Sequence, residues 1–229
     1  KKEWIMDIGD PFTLKKDAPE NNKYLYGLLN KYYENKFYLL ASKILFTHKE
    51  SLTFHQEYFK IDSSKAFVAN PISKFDDKIY NKSLNYDYSS KPIKFGYFGI
   101  FTQGVRSPNN FLKTLKDVND IEIFWYVNDD SREQIKSNNL IISNSHFKNI
   151  VPREEAINLM ADSMHCLISI GNMNTNQLPS KVIEYLSTGK PVIHFAEVPN
   201  DPVNSIAENF DNLFILTKEE NIEKFFSNL

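Results

Sequence analysis

From Ile93 onward one rhythm repeats, and it restricts the fold more than any other feature of the sequence. Short apolar runs alternate with stretches whose apolar residues recur at helical spacing, which gives a helix one buried face. Strands are expected at 94–99, 121–127, 165–170, 191–195 and 212–216, and helices at about 110–116, 132–137, 153–161, 179–187 and 218–226. Strand, helix, strand in repetition builds a parallel sheet, since parallel neighbours need a crossover and a helix supplies it. The helices then cover both faces, and ligands bind in the crevice at the carboxyl ends of the strands.

The residues before this follow a shorter version of the same pattern. A strand is expected over 4–8, a helix over about 24–42, a buried strand at 43–47, a second helix at about 49–59 and a strand at 66–69. Asn70-Pro71 ends the last strand, because proline restricts the residue before it and brings no N–H to a ladder. The chain opens on a strand that runs straight into the polar turn Gly9-Asp10-Pro11, so this segment is expected to be a piece of a longer domain. Between 72 and 91 no apolar period survives. Its lysines and tyrosines are interrupted by Asp76, Asp77 and Asp87, which reads as a solvated connection in preference to a membrane-surface patch. The expected organisation is an incomplete α/β domain at 1–71, a linker at 72–92 and a complete parallel-sheet domain at 93–229.

Composition narrows the function classes. With 41% hydrophobic and 14% aromatic residues the chain can bury a core. A net charge of -2 gives no basic excess for nucleic acid. The single cysteine, Cys166, lies in an apolar run and reads as a buried thiol, so no internal disulfide framework exists. No apolar stretch approaches the ~20 residues of a membrane span, and a cytoplasmic location is expected. The five histidines show no metal-ligand spacing, so no metal site is expected; His194, at a strand end, reads as a core or cleft-rim residue.

Two segments carry chemistry. In the first, Asn176 to Ile193, Pro179 and Ser180 suit a helix start, while Gly189 and Pro191 suit its stop. Ser180 and Glu184 are four apart and share a helix face, with Lys181 alongside. The free N–H groups of a first turn attract a phosphate, and a carboxylate one turn further in can accept from both hydroxyls of a ribose. The same spacing also occurs on ordinary capped helices whose glutamate is merely solvated. In the second, Phe95 to Pro108, a strand runs into a loop with Gly99 and Gly104 and reaches Arg106 before a helix. The glycines let backbone approach a bound group, and an arginine there can pair with a diphosphate. An ordinary turn with a surface arginine fits as well. Neither the G-x-G-x-x-G fingerprint nor a P-loop is present.

Together, in this order, the two segments resemble the donor domain of the GT-B glycosyltransferases, most closely family 4. The string Pro179-Ser180-Lys181, Glu184-Tyr185-Leu186 and Gly189-Lys190-Pro191-Val192 is similar to that family's best-known helix. Tyr97-Phe98-Gly99 with Gly104-Val105-Arg106-Ser107-Pro108 resembles its first strand and phosphate loop, and Asn149-Ile150-Val151-Pro152-Arg153 its base-holding loop. Trp4 to Pro11, Glu34, Ile44 to Thr47 and Val68 to Pro71 are similar to the end of its acceptor domain.

The resemblance implies two Rossmann-like domains, the N-terminal one incomplete, and a metal- and cofactor-independent transfer of a hexose from a nucleoside-diphosphate sugar to an acceptor hydroxyl, with retention. It implies a bacterial enzyme of surface polysaccharide or glycolipid synthesis, with a carbohydrate or glycolipid acceptor and room for peripheral association at the inner membrane face. The implied catalytic residues are Arg106, neutralising the departing diphosphate, Glu184 on the ribose, and Lys181 as an auxiliary cation. The implied donor contacts are Gly99, Gly104, Arg106, Val151, Asn176, Gln177, Leu178, Pro179, Ser180 and Glu184. Asp7 and Asp10 fall on the acceptor side, where turn-capping is an equal alternative. Two departures bear on donor identity and, to a lesser degree, on activity: Asn176 stands where the family commonly has a glutamate, and Ile100 where it often has an arginine. A catalytically inactive nucleotide- or sugar-binding module of the same fold therefore remains the alternative.

Overall fold

The computed structural model of the chain describes residues 3–9, 12–13, 23–74, 76–115, 118, 120–137, 144–175 and 177–218. The chain divides into two compact units, Lys1–Pro71 with Asn174–Leu178, and Ile72–Met173 with Pro179–Leu229.

In the first unit, β1 (Ile5–Ile8), β2 (Lys43–Phe46) and β3 (Ala66–Val68) form a parallel sheet in that order. The helices α1 (Lys23–Leu40) and α2 (Lys49–Phe59) are the crossovers that parallel pairing requires. Ile44 and Phe46 alternate inward on β2 and pack with Ile8, Tyr38, Ala41 and Phe59. The Glu34 carboxylate is buried in this unit, where it accepts from the Tyr38 hydroxyl at 2.6 Å and from the Thr13 amide at 2.9 Å. Burial, followed by that carboxylate, pushes the Tyr38 phenol well above its ordinary range.

The second unit is a six-stranded parallel sheet of β4 (Ile93–Phe98), β5 (Ile121–Tyr126), β6 (Ser145–Lys148), β7 (Cys166–Ile170), β8 (Val192–Phe195) and β9 (Leu213–Leu216). The order across it is β6-β5-β4-β7-β8-β9, the doubly wound arrangement that grows outward in both directions from β4. Helices α4 (Asn109–Thr114), α5 (Asp129–Lys136), α6 (Arg153–Ser163) and α7 (Ser180–Leu186) join the strands, and α8 (Asn204–Ala207) precedes β9. Phe95, Trp125, Ile123, Ile168 and Phe195 build one core with Phe111 and Leu112 of α4. All five residues of β7 are buried, as expected of a central strand covered on both faces.

The segment 72–92 departs from the solvated linker expected. It holds α3 (Asp77–Leu84), whose N-cap Asp76 accepts from the Lys78 and Ile79 amides. Tertiary contact supplies what the sequence pattern lacks. Lys82 reaches Asp162 of α6 at 2.9 Å, and the Tyr80 ring lies where a side chain on Gly189 would be. The buried Lys190 ammonium sits 3.4 Å from the centroid of the Tyr86 ring. Gly189 has φ of 77°, so the helix stop after α7 is left-handed, as glycine permits. The edge strand β6 has no expected counterpart in the sequence reading, and the helix expected over 218–226 falls, beyond Lys218, outside the described residues. Among the described residues no helix is long and apolar enough to cross a membrane.

Candidate functional site

Strands β4 and β7 mark the point where the winding of the second unit reverses, and they separate early. Their pairing reaches Phe95 with Cys166 and Gly96 with Leu167, whereas β4 pairs with β5 through to Phe98. The edge of Phe98 that faces β7 therefore lacks a strand partner. Tyr185 of α7 fills the place: its hydroxyl accepts from the Phe98 N–H and donates to the Phe98 C=O, both at 2.9 Å. The phenol is fully buried, which pushes its pKa well above the ordinary range. Tyr185 thus holds α7 against the mouth of the crevice in which doubly wound sheets bind ligands.

Across that crevice lies the loop after β4. The Gly99 amide continues the ladder to Tyr126, and the loop then turns at Thr102, whose carbonyl accepts from Val105 and Arg106. Gly104 makes the turn possible with φ of 78°, where a side chain would be strained. Arg106 extends to the end of β7 and donates from Nη2 to Oδ1 of Asn172 at 2.8 Å. The Val105 carbonyl accepts from the Met173 amide at 2.7 Å, so backbone and side chain both fasten this loop to the β7 end. The Arg106 guanidinium lies beside the Tyr97 hydroxyl, and among the described residues its buried Nε has no hydrogen-bond partner. An unpaired buried donor costs about 1–3 kcal/mol, and an anion oxygen in the crevice would satisfy it. Burial pushes the neighbouring Tyr97 phenol up to about 12, with Arg106 pulling the other way.

On α7, Pro179 occupies the N-cap and gives no side-chain capping bond, and Ser180 is the first helical residue and exposed. Glu184 is buried, and each of its oxygens meets a cation: Oε1 is 2.6 Å from Arg153 Nε, and Oε2 is 2.6 Å from Lys181 Nζ. Both cations are substantially exposed, so the carboxylate is held from the solvent side. Lys181 is thereby engaged with Glu184. Val151 lies half-buried in the loop before α6, two residues from Arg153. Of the other expected site residues, Gln177 and Leu178 group with the first unit, and Asp7 is exposed on β1. Asn176 and Asp10 lie outside the described residues.

Sequence reasoning missed Tyr185 as a clamp, Asn172 as the partner of Arg106, and Arg153 as the partner of Glu184. It also missed a buried relay behind the crevice. Ser169 on β7 lies 2.9 Å from Nδ1 of His194 on β8, and Nε2 of His194 lies 3.1 Å from Oδ1 of Asp201. All three are buried, so the grouping has the look of a hydrolytic triad without the exposed hydroxyl that one needs. Its use is positional: the Asp201 carboxylate also packs directly over Gly171, the residue that precedes Asn172. Among the described residues no group of three or more His, Cys, Asp or Glu is placed to hold a metal ion.

The structure is similar to that of HepE from Anabaena in complex with UDP and glucose: TM-score 0.65, 14% identity, covering 99% of this chain and 61% of that one. It is also similar to a glycosyltransferase from Rickettsia africae, with TM-score 0.62 and 14% identity over 98% of this chain and 59% of the other. A third similar structure is WaaG, a glycosyltransferase involved in lipopolysaccharide biosynthesis, with TM-score 0.59, 15% identity, and 97% and 64% of the two chains covered. The fold is that of the GT-B glycosyltransferases. The chain spans less than two thirds of the length of each of these GT-B structures. No family model matches the sequence, and no curated protein matches it.

Proposed function

We propose that this chain carries the nucleotide-sugar site of a glycosyltransferase, with 93–229 as the donor domain and 1–71 as part of the acceptor side. The observation that carries the reading is Arg106, held by Asn172 at the β4–β7 crevice with a buried, unpaired Nε. A diphosphate set there would accept from that guanidinium. Glu184, fixed by Arg153 and Lys181, would accept from the ribose hydroxyls. The binding of UDP described for HepE supports a nucleoside diphosphate as the ligand class.

In the transfer, the bond between the anomeric carbon and the diphosphate oxygen breaks as the acceptor hydroxyl oxygen bonds to that carbon. The leaving diphosphate takes the hydroxyl proton. Arg106 stabilises the charge that grows on the diphosphate, in the manner of preorganised electrostatic catalysis. No metal or further cofactor enters this scheme, and the donor is a substrate. The finer reading is a retaining hexosyl transfer to a carbohydrate or glycolipid in bacterial surface polysaccharide synthesis, in the cytoplasm or at the inner membrane face.

The alternative, an inactive binding module, is favoured by Asn176 and Ile100 where the family pattern has charged residues. A sugar-nucleotide turnover assay separates them. The enzyme reading expects release of nucleoside diphosphate from one of UDP-glucose, UDP-galactose or GDP-mannose in the presence of acceptor, falling about 100-fold in Arg106→Ala. Nucleotide binding with no turnover of any donor would favour the module.

A further inference from the structure

We propose that the cavity between α3, α6 and the end of α7 is a second anion site, built for the phosphate of a small phosphorylated molecule or of a lipid headgroup. Its lining includes none of Gly99, Arg106, Ser180 or Glu184, and it adjoins the donor reading through Arg153 alone, which pairs with Glu184. The cavity has a volume of about 420 Å³, within the range of small-molecule sites.

Its charge has a simple origin in the sequence. Lys74, Lys78 and Lys82 recur every four residues, and the cavity brings all three together with Arg153 at the start of α6. Four cations line it with two carboxylates, Asp76 and Glu154; with Asp162 and Glu184, the partners of Lys82 and Arg153, the local charges balance, and the cations left for a ligand are Lys74 and Lys78. The Asp76 carboxylate is already committed to the amides of Lys78 and Ile79 as the cap of α3. Lys82 is committed to Asp162 and Asn158, which fixes α3 to α6, and Arg153 uses its Nε on Glu184. Lys74 and Lys78 are exposed, and neither ammonium pairs with a carboxylate among the described residues. Pro152, the N-cap of the eleven-residue α6, provides no capping side chain, so the first-turn N–H groups of that helix are left uncapped, with Glu154 and Glu155 in the same turn. Ile79 and Ile157 add apolar surface beneath the charges. Cations above an apolar floor suit a phosphate joined to a less polar body.

The test is calorimetric titration with inorganic pyrophosphate at low salt, on the wild-type chain, Lys74→Ala/Lys78→Ala and Arg106→Ala. A parallel arm sediments the first two with vesicles of phosphatidylcholine alone or with phosphatidylglycerol added. Circular dichroism and UDP affinity show whether the double variant remains intact, since neither lysine touches the donor residues. Pyrophosphate binding that survives Arg106→Ala and weakens about tenfold or more in the double variant supports a free phosphate ligand. Binding to the anionic vesicles alone, lost in the double variant, supports a headgroup. Pyrophosphate and vesicle binding that both ignore the two lysines, or pyrophosphate binding that disappears only in Arg106→Ala, overturns the proposal, whatever the outcome for nucleotide binding.

Discussion

The Tyr185 hydroxyl makes two hydrogen bonds to Phe98, one to its N–H and one to its C=O, at the point where β4 leaves β7. It replaces a missing strand partner with a side chain from α7, and α7 also carries Glu184. Tyr185→Phe keeps the ring and leaves a buried donor and acceptor unsatisfied, so a loss of about 2–3 kcal/mol is expected. Urea unfolding of the two proteins measures it. A loss below about 0.5 kcal/mol would mean that water replaces the hydroxyl at no cost.

Gly171 makes a second, steric prediction. A methyl group there would collide with the Asp201 carboxylate and lie 3.1 Å from the Phe195 carbonyl. Asp201 Oδ1 accepts from the Val203 amide at 2.9 Å and lies 3.1 Å from His194 Nε2, so shifting the carboxylate aside disturbs the amide bond. Gly171→Ala is expected to cost about 2–3 kcal/mol and to loosen Asn172, with weaker nucleotide binding as the functional readout. Thermal unfolding together with a UDP titration checks both, and an unchanged melting temperature would contradict the packing described.

Lys190 predicts a pH dependence. Burial lowers its pKa from 10.5 to about 7, with Asp162 opposing. Between those values the unfolded chain binds a proton that the folded chain has released, so stability rises with pH from about 7 to 10.5 and the gain is complete above that. The Tyr86 face favours the charged form and reduces the effect. The expected gain is on the order of 2 kcal/mol, read from denaturant midpoints across that window. Lys190→Met should remove this part of the pH dependence, and a variant with the same slope as wild type would contradict it.

How far the fold could be read from the sequence follows from what each element depends on. Strands β4, β7 and β8 announce themselves because burial on both faces leaves near-continuous apolar runs such as Cys166 to Ile170, and β5 and β9 stay largely apolar although part of each is half-buried. The edge strand β6, Ser145 to Lys148, is half-buried and mostly polar, and it exists through its ladder with β5. Helix α3 buries only Ile79 and Ser83, too little for a visible apolar period, and owes its place to Asp76, Lys82 and Tyr80. The same logic applies at the site. Arg106 and Glu184 stand out by residue type and context. Their partners Asn172 and Arg153 lie on other elements, and the winding of the sheet alone decides who meets whom. Tyr185 is visible only as a member of a familiar string, because its role depends on where β4 and β7 part.

The central claim is that Arg106 and Glu184 form one nucleotide site at that parting. The most direct test is calorimetric titration of the chain with UDP, GDP and ADP, alongside Arg106→Ala and Glu184→Ala. The account predicts micromolar-range binding of one nucleotide, weakened by about tenfold or more in each variant, since each removes a charged hydrogen-bonding group worth about 1.5–3 kcal/mol. Failure of a folded wild-type chain to bind any of the three, or binding that neither substitution affects, would contradict it.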